Sequence, residues 1–364
     1  MKNTFGNSIA LTVFGESHGK AVGVVIDGLT PGLEADSGRI ARCLARRSPI
    51  EGETARREND AFEIISGVFN GKTTGTPLTI VIPNADAHSE DYSYGTARPS
   101  HADYAAYRKY HGFEDYRGGG HFSGRVTAAI AAAGGIFIPA LEKLGISLGS
   151  HILSCGSARD RDFYDISSDI EDLAESNFPV LDKAVEENVK NEIADARADG
   201  DSIGGIIQTA VNGLPAGLGE PWFDSVEGML SHALFSIGGI KGIEFGAGFA
   251  CAKMRGSEFN DALKMINGSV FTDSNNSGGI NGGITNAMPL VFNCAVRPTA
   301  SITLEQRTVD FLRGENTTVS VSGRHDPCIV RRICPVIESM TAFVLCDMLA
   351  SRYGTDVFTG GTDL

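Results

Sequence analysis

His18, on the glycine-flanked turn Phe14-Gly15-Glu16-Ser17-His18-Gly19, gives this chain a group able to move a proton near neutral pH. The turn follows the apolar, strand-like run Ile9 to Phe14, and glycines on either side let the backbone approach a ligand closely. Residues 15–19 also match G-x-S-x-G, the nucleophile elbow of serine hydrolases, which requires a strand, a sharp turn and then a helix. Here the valine-rich run Ala21 to Asp27, closed by Gly28, reads as a second strand. Ser17 therefore lacks the setting of a hydrolase nucleophile. His18 is either an acid–base group or a histidine satisfied within a tight turn.

Three further segments place histidine or arginine beside a carboxylate or hydroxyl in turn-rich sequence: Arg98-Pro99-Ser100-His101-Ala102-Asp103, Arg297-Pro298-Thr299-Ala300-Ser301 and Gly323-Arg324-His325-Asp326-Pro327-Cys328. Arginine beside such groups can offset phosphate or carboxylate charge through charge-assisted hydrogen bonds. A glycine run, Gly118-Gly119-Gly120-His121-Phe122-Ser123-Gly124, opens an alanine-rich helix beginning near Val126. Backbone N–H groups there, with Arg125, could face an anion, or the segment is a plain loop into a closely packed helix. It does not fit G-x-G-x-x-G, and Gly67 to Thr73 has one residue too few between its glycines for a phosphate-binding Walker loop.

The elements that must position these groups are legible in outline. Asp36 or Ser37 caps a helix running to Arg47, with Ile40, Cys43 and Leu44 on one face and Pro49 just beyond its end. Arg39, Arg42 and Arg46 form a basic face next to Arg47, and Arg56 and Arg57 continue the theme; this is either a solvated face or an anion site. Val126 to Leu141 is the longest uncharged stretch, short for a membrane span and interrupted by Gly134, Gly135 and Pro139, so it reads as a buried helix. Ile166 to Ala198 is acidic, helical and peripheral. With 364 residues and no Pro/Ser-rich linker, a single large α/β or α+β domain over 1–364 is expected.

Net charge of −14 argues against nucleic-acid or anionic-membrane partners, so any anionic ligand must meet a local basic cluster. Seven cysteines without a C-x-x-C pair point to reduced thiols and no metal site, and the amino terminus lacks a targeting pattern, so the cytoplasm is the expected compartment.

Taken in order, FGESHG (14–19), RPSHADY (98–104), YRGGGHFSGR (116–125), GLPAGLGEP (213–221), SIGGIKGIEFG (236–246), GGINGG (278–283), RPTAS (297–301) and GRHDPC (323–328) resemble chorismate synthase across nearly the whole chain. The resemblance implies an α+β fold, a β-α-β sandwich subunit forming a homotetramer. It also implies reduced FMN (FMNH2) and 5-enolpyruvylshikimate 3-phosphate as ligands. The family's reaction is a trans-1,4 elimination of phosphate that yields chorismate, the flavin lending an electron and recovering it. By the same resemblance, His18 gives a proton towards the departing phosphate, with Ser17 beside it; His101 stabilises the reduced flavin by protonation; and Asp326 helps move a proton from flavin N5. Arg98 and Arg125 match substrate-contacting arginines, Arg39, Arg46 and Arg47 extend that cluster, and Arg324 holds anion or flavin. Flavin contacts fall on His121, Phe122, Ser123, Gly238, Gly239, Gly282 and Arg297, Pro298, Thr299, Ala300 and Ser301.

Two departures stand out. Many relatives read RSSARET where this chain has His121-Phe122-Ser123-Gly124-Arg125-Val126-Thr127, and the stretch Ser48 to Thr54 lacks a loop arginine while carrying Glu51 and Glu53. From those two acidic residues, weak or absent use of NADPH and dependence on an external flavin reductase are expected. A flavin-binding paralogue with lost or altered activity is the alternative in the same family, and a serine hydrolase the alternative outside it.

Overall fold

The computed structural model describes residues 2–50, 60–84, 94–321 and 326–360. A first antiparallel sheet is built from β1 (Thr4–Phe5), β2 (Ala10–Gly15), β3 (Ala21–Asp27), β4 (Glu63–Ser66) and β5 (Leu78–Pro83), in the order β1-β2-β3-β5-β4. A second, also antiparallel, contains β6 (Ser147–Cys155), β7 (Ala158–Arg159), β8 (Gly205–Asn212), β9 (Ile240–Phe245) and β10 (Leu290–Val296), in the order β9-β10-β8-β6-β7. A separate hairpin pairs β11 (Gln306–Asp310) with β12 (Glu315–Val319).

The helices are α1 (Ser37–Arg47), α2 (Asp103–Tyr110), α3 (Thr127–Glu142), α4 (Ile166–Glu175), α5 (Lys183–Ala198), α6 (Val226–Leu234) and α7 (Val330–Tyr353). Strand alternation aims Val22, Val24 and Ile26 of β3 and Leu78, Ile80 and Ile82 of β5 at one face, where all six are fully buried. Helix α3 packs on that face, α7 packs on β6 and β8 of the second sheet, and the two helices pack on each other. This is a β-α-β sandwich around one continuous apolar core, matching the architecture expected from the resemblance. Burial of each such side chain contributes about 1.5–3 kcal/mol.

Close approach within the helix layer depends on small residues. A Cβ on Gly134 would lie 2.1 Å from Ser339 Oγ of α7, and one on Gly135 would lie 2.5 Å from Ile40 Cα of α1. The uncharged stretch is thus a core helix. Among the described residues, the two helices long and apolar enough to cross a membrane, Gly124–Glu142 and Val330–Tyr353, are mostly buried inside the fold. Carboxylates within α7 are paired: Asp347 accepts the backbone N–H groups of Asn7, Ser8 and Ile9 at 2.7–2.9 Å, and Glu338 takes Arg46 and the Ser150 N–H. Asp347 thereby fixes the chain just before β2, the strand that leads into the His18 turn.

The helical segment 166–198 is two helices rather than one. Asp165 and Asp182 cap them, and the intervening Phe178-Pro179-Val180 turns inward, Pro179 accepting the Ile152 N–H of β6 at 2.8 Å. Proline lacks the N–H of a helix interior and disfavours its continuation, and the buried Phe178 and Val180 reward the break.

Candidate active site

The turn between β2 and β3 carries Ser17 and His18, and the strand after it confirms that no nucleophile elbow exists here. The Ser17 hydroxyl lies 3.2 Å from both the Arg117 and Gly118 carbonyls and 3.1 Å from His18 Nδ1. Its one proton is spent on a carbonyl, so the hydroxyl accepts from Nδ1–H. That geometry anchors an imidazole; it does not activate a serine.

Opposite the turn runs the glycine segment. Gly118, Gly119 and Gly120 have φ of 59°, 81° and 53°, which only glycine adopts without strain. The ribbon they form threads between two histidines. A Cβ on Gly118 would come within 2.1 Å of His18 Cε1, and one on Gly119 within 3.3 Å of His101 Nε2. Ser17 N–H donates to the Gly120 carbonyl at 3.1 Å, tying the two segments together. His101 sits just ahead of α2, with Nδ1 2.6 Å from Asp103.

Beside His101 lies a cavity of about 240 Å³ with a cationic wall of Arg47, Arg98, Arg125, Arg297 and Arg332. Phe122, Ala300, Ile329 and Ile333 supply apolar surface, and Gly118, Gly124, Gly238 and Gly239 supply bare backbone. A second cavity of about 310 Å³, lined also by Gly119, shares Arg98, His101 and Phe122 with the first and extends under Phe311 and the β11–β12 hairpin. Asp326 lines the first cavity, paired with Arg332, whose Nε donates to the Arg47 carbonyl at 3.0 Å. Thr299 Oγ1 donates to the Asp326 carbonyl at 3.0 Å, so the 297–301 segment and the Asp326 loop are held as one wall. Arg125 is tied to Asp60, to Asn84 Oδ1 at 3.0 Å and to the Pro83 carbonyl at 3.1 Å. Asn84 in turn donates to the Glu16 and Gly19 carbonyls, each at 2.9 Å, which links Arg125 to the His18 turn.

Two observations fit this cavity to a flat, polar-edged ligand bearing phosphate. A Cβ on Gly124 would meet nothing within 4 Å and one on Gly238 only the Phe122 carbonyl at 4.0 Å, and neither residue has positive φ. Neither the backbone nor a protein neighbour calls for glycine there, so the bare surface suits a ligand in close contact. Asp326 Oδ1 is buried and has no hydrogen-bond partner among the described residues, an acceptor suited to a ligand N–H. Reduced FMN fits this donor and acceptor set.

The fold thus brings together Arg47, Arg98, His101, Phe122, Ser123, Arg125, Gly238, Gly239, Arg297, Thr299, Ala300, Ser301 and Asp326, with Ser17 and His18 behind Gly118. It does not bring Arg39 or Arg46, which pair with Glu142 and Glu338 in a different groove. Helical geometry explains the separation: Arg47 is turned by one residue from the face carrying Arg39, Arg42 and Arg46. His121 Nδ1 donates to the Gly15 carbonyl at 2.7 Å and lines a neighbouring apolar cavity instead. Pro298 offers its carbonyl to Arg297 at 2.7 Å, and Gly282 lies outside these cavities. Arg324, Glu51, Glu53, Arg56 and Arg57 lie outside the described residues.

Sequence reading missed Arg332, Asp60 and Asn84. The Arg331-Arg332 pair opening an otherwise apolar helix was a signal for the first; the others stand at strand flanks with no local mark. Cys328, beside Asp326, is buried with its sulfur 3.8 Å from Cys155, and no group of metal-binding residues occurs among the described residues.

The chain as a whole is similar to known proteins. The family model for chorismate synthase matches residues 9–350. The chain is 46% identical over 351 residues to the chorismate synthase of Thermococcus gammatolerans, covering 95% of this chain and 97% of that one. It is 43% identical over 358 residues to that of Methanosarcina acetivorans, covering 96% and 97%. A solved crystal structure of a chorismate synthase superposes with a TM-score of 0.77 at 27% identity, covering 98% of this chain and 97% of that one. Sequence and fold therefore converge: the chain belongs to the chorismate synthase family, lyases of the shikimate pathway.

Proposed function

We propose that the chain eliminates phosphate from 5-enolpyruvylshikimate 3-phosphate to give chorismate, with reduced FMN bound in the arginine-walled cavity between His18 and His101. The observation that carries this reading is the cavity itself, where five arginines, bare glycine backbone and a partnerless carboxylate oxygen surround one space. When bound, reduced FMN supplies transient electron density to the substrate and recovers it, so no net redox change results.

The chain's own residues bind, orient and move protons. Phosphate leaves poorly as an uncompensated anion, so Arg47, Arg98 and Arg125 would offset its charge and His18 would supply a proton. Gly118 puts that imidazole directly behind the cavity wall. His101 would hold a proton close to the cofactor, and Asp326 Oδ1 would accept a hydrogen from its ring edge. Gly124, Gly238 and Gly239 allow close approach, and Phe122, Ile329 and Ile333 exclude water from one side.

Exposed Trp222, Phe223, Phe249, Leu263 and Met265 supply apolar surface for the proposed homotetramer. The working compartment is taken as the cytoplasm, with NADPH a ligand only if the enzyme also reduces its own flavin and an external reductase otherwise. An anaerobic assay with reduced FMN and substrate tests the reading: chorismate and phosphate should appear in equal amounts, and not without flavin. Full-rate turnover with flavin absent would overturn it. Tight FMN binding with no phosphate release would identify a relative that kept the flavin site and lost the reaction.

A further inference from the structure

We infer that Asp103 is a positioning residue for His101: it accepts the Nδ1 proton of the imidazole and leaves Nε2 as the nitrogen presented across Gly119 towards the cavity. Asp103 Oδ1 lies 2.6 Å from His101 Nδ1, while a Cβ on Gly119 would meet His101 Nε2 and Cε1 at 3.3 Å. The two ring nitrogens therefore face opposite ways, one into a carboxylate and one past bare backbone. This deepens the reading that His101 faces the bound ligand, and rests on it.

The assignment of the proton follows from charge. Burial pushes the Asp103 carboxyl up, but hydrogen bonds from Arg98 and His101 outweigh it and hold the group well below the ordinary carboxylate range. Asp103 is thus an anion and an acceptor only at neutral pH. An unprotonated nitrogen would be repelled at 2.6 Å, so Nδ1 carries hydrogen. Arg98 Nη2, 3.0 Å from the same nitrogen, then has no lone pair to donate to. Its guanidinium is spent on Asp103 instead, with Nη2 2.8 Å from Oδ1, Nε 2.9 Å from Oδ2 and the Arg98 backbone N–H also 2.9 Å from Oδ2.

Local structure makes the arrangement rigid. Asp103 is the first residue of α2, where a carboxylate is favoured by the helix dipole. Ser100, at φ 60°, turns the chain so that His101 N–H meets the Arg98 carbonyl at 3.1 Å and the ring folds back onto Asp103. His101 and Asp103 side chains are only 17% and 16% exposed, so water competes little for their bond. Arg98 and Asp103 are the charged groups in hydrogen-bond reach of the His101 ring. The other charged groups around the two cavities it lines are Glu114 and Asp115 on one side, and Arg47, Arg125, Arg297, Asp326 and Arg332 on the other.

The test compares Asp103→Asn, Asp103→Glu, His101→Ala and the double variant in the assembled enzyme, by anaerobic turnover and by the nitrogen NMR signature of the His101 ring tautomer without substrate. Asp103→Asn should move the ring proton from Nδ1 to Nε2, because an amide can donate to Nδ1 where the carboxylate could only accept. It should lower kcat by about 10- to 100-fold, as loss of an orienting partner does elsewhere, with KM moving far less. Asp103→Glu should keep the proton on Nδ1, and adding Asp103→Asn to His101→Ala should cost nothing further. An unchanged His101 tautomer in Asp103→Asn, or an equal kcat loss in the presence and absence of the His101 ring, would overturn the inference and leave Asp103 a structural residue. Undiminished turnover by His101→Ala would instead refute the role of His101, which the tautomer measurement does not depend on.

Discussion

Replacing Gly238 with alanine separates a ligand-facing surface from an internal one. Its Cβ would meet only the Phe122 carbonyl, at 4.0 Å, and its φ is not positive, so the folded chain has room for the methyl. Stability should then hold or rise by about 0.4–1 kcal/mol, because alanine has fewer unfolded conformations to lose. Gly118→Ala provides the contrast: with φ of 59° and a Cβ 2.1 Å from His18 Cε1, it should destabilise the fold. If bound FMN fills the space over Gly238, the added methyl overpacks the contact at about 1–3 kcal/mol. That corresponds to flavin binding weakened by about 5- to 150-fold. Anaerobic flavin titration gives the affinity, and calorimetric melting of the flavin-free protein gives the stability. Unchanged flavin affinity in Gly238→Ala would refute the ligand-facing assignment, and so would a weakened oligomer with normal flavin affinity.

Other perturbations test neighbouring parts of the site. Asp60→Asn removes the carboxylate paired with the nearly buried Arg125 and should cost about 1–3 kcal/mol in urea unfolding, together with a lower rate, because a hydrogen bond between charged groups is lost while Asn84 and the Pro83 carbonyl still hold the guanidinium. Asp103 is depressed in the folded state, so its stabilisation is full above about pH 4 and is lost as pH falls below that. The stability difference between parent and Asp103→Asn should therefore shrink on acidification below pH 4; a constant difference would contradict the assigned charge. Burial pushes Cys43 up to about 11 and Cys294 up to about 12, so both should resist alkylation at pH 8 until denaturant is added, as peptide mapping would show. Ser17→Ala should lower turnover without abolishing it, because the hydroxyl only orients His18; complete loss of activity would give it a larger role.

Much of the architecture was written locally. The strands around the His18 turn, the Asp36-capped helix and the uncharged core helix each follow from hydrophobic period, a cap or a glycine pattern, and each stands where the sequence puts it. The break in 166–198 was less legible, since Pro179 marked it but the donor that rewards it, the Ile152 N–H, lies on a strand 27 residues earlier.

For the site, sequence alone determined the residue types: histidines on turns, arginines in an acidic chain, and glycines in runs. Which of them share one space was decided by packing. Arg47 reaches the cavity while Arg39 and Arg46 do not, because Glu142 and Glu338, one on each of two other helices, capture the other face of α1. Arg332 meets Asp326, and Arg125 meets Asp60 and Asn84, across chain separations that no local pattern encodes. A charge run states only that charge is present; the partner that neutralises it, or the cavity left for a ligand, exists only once the two sheets have closed over the helices between them.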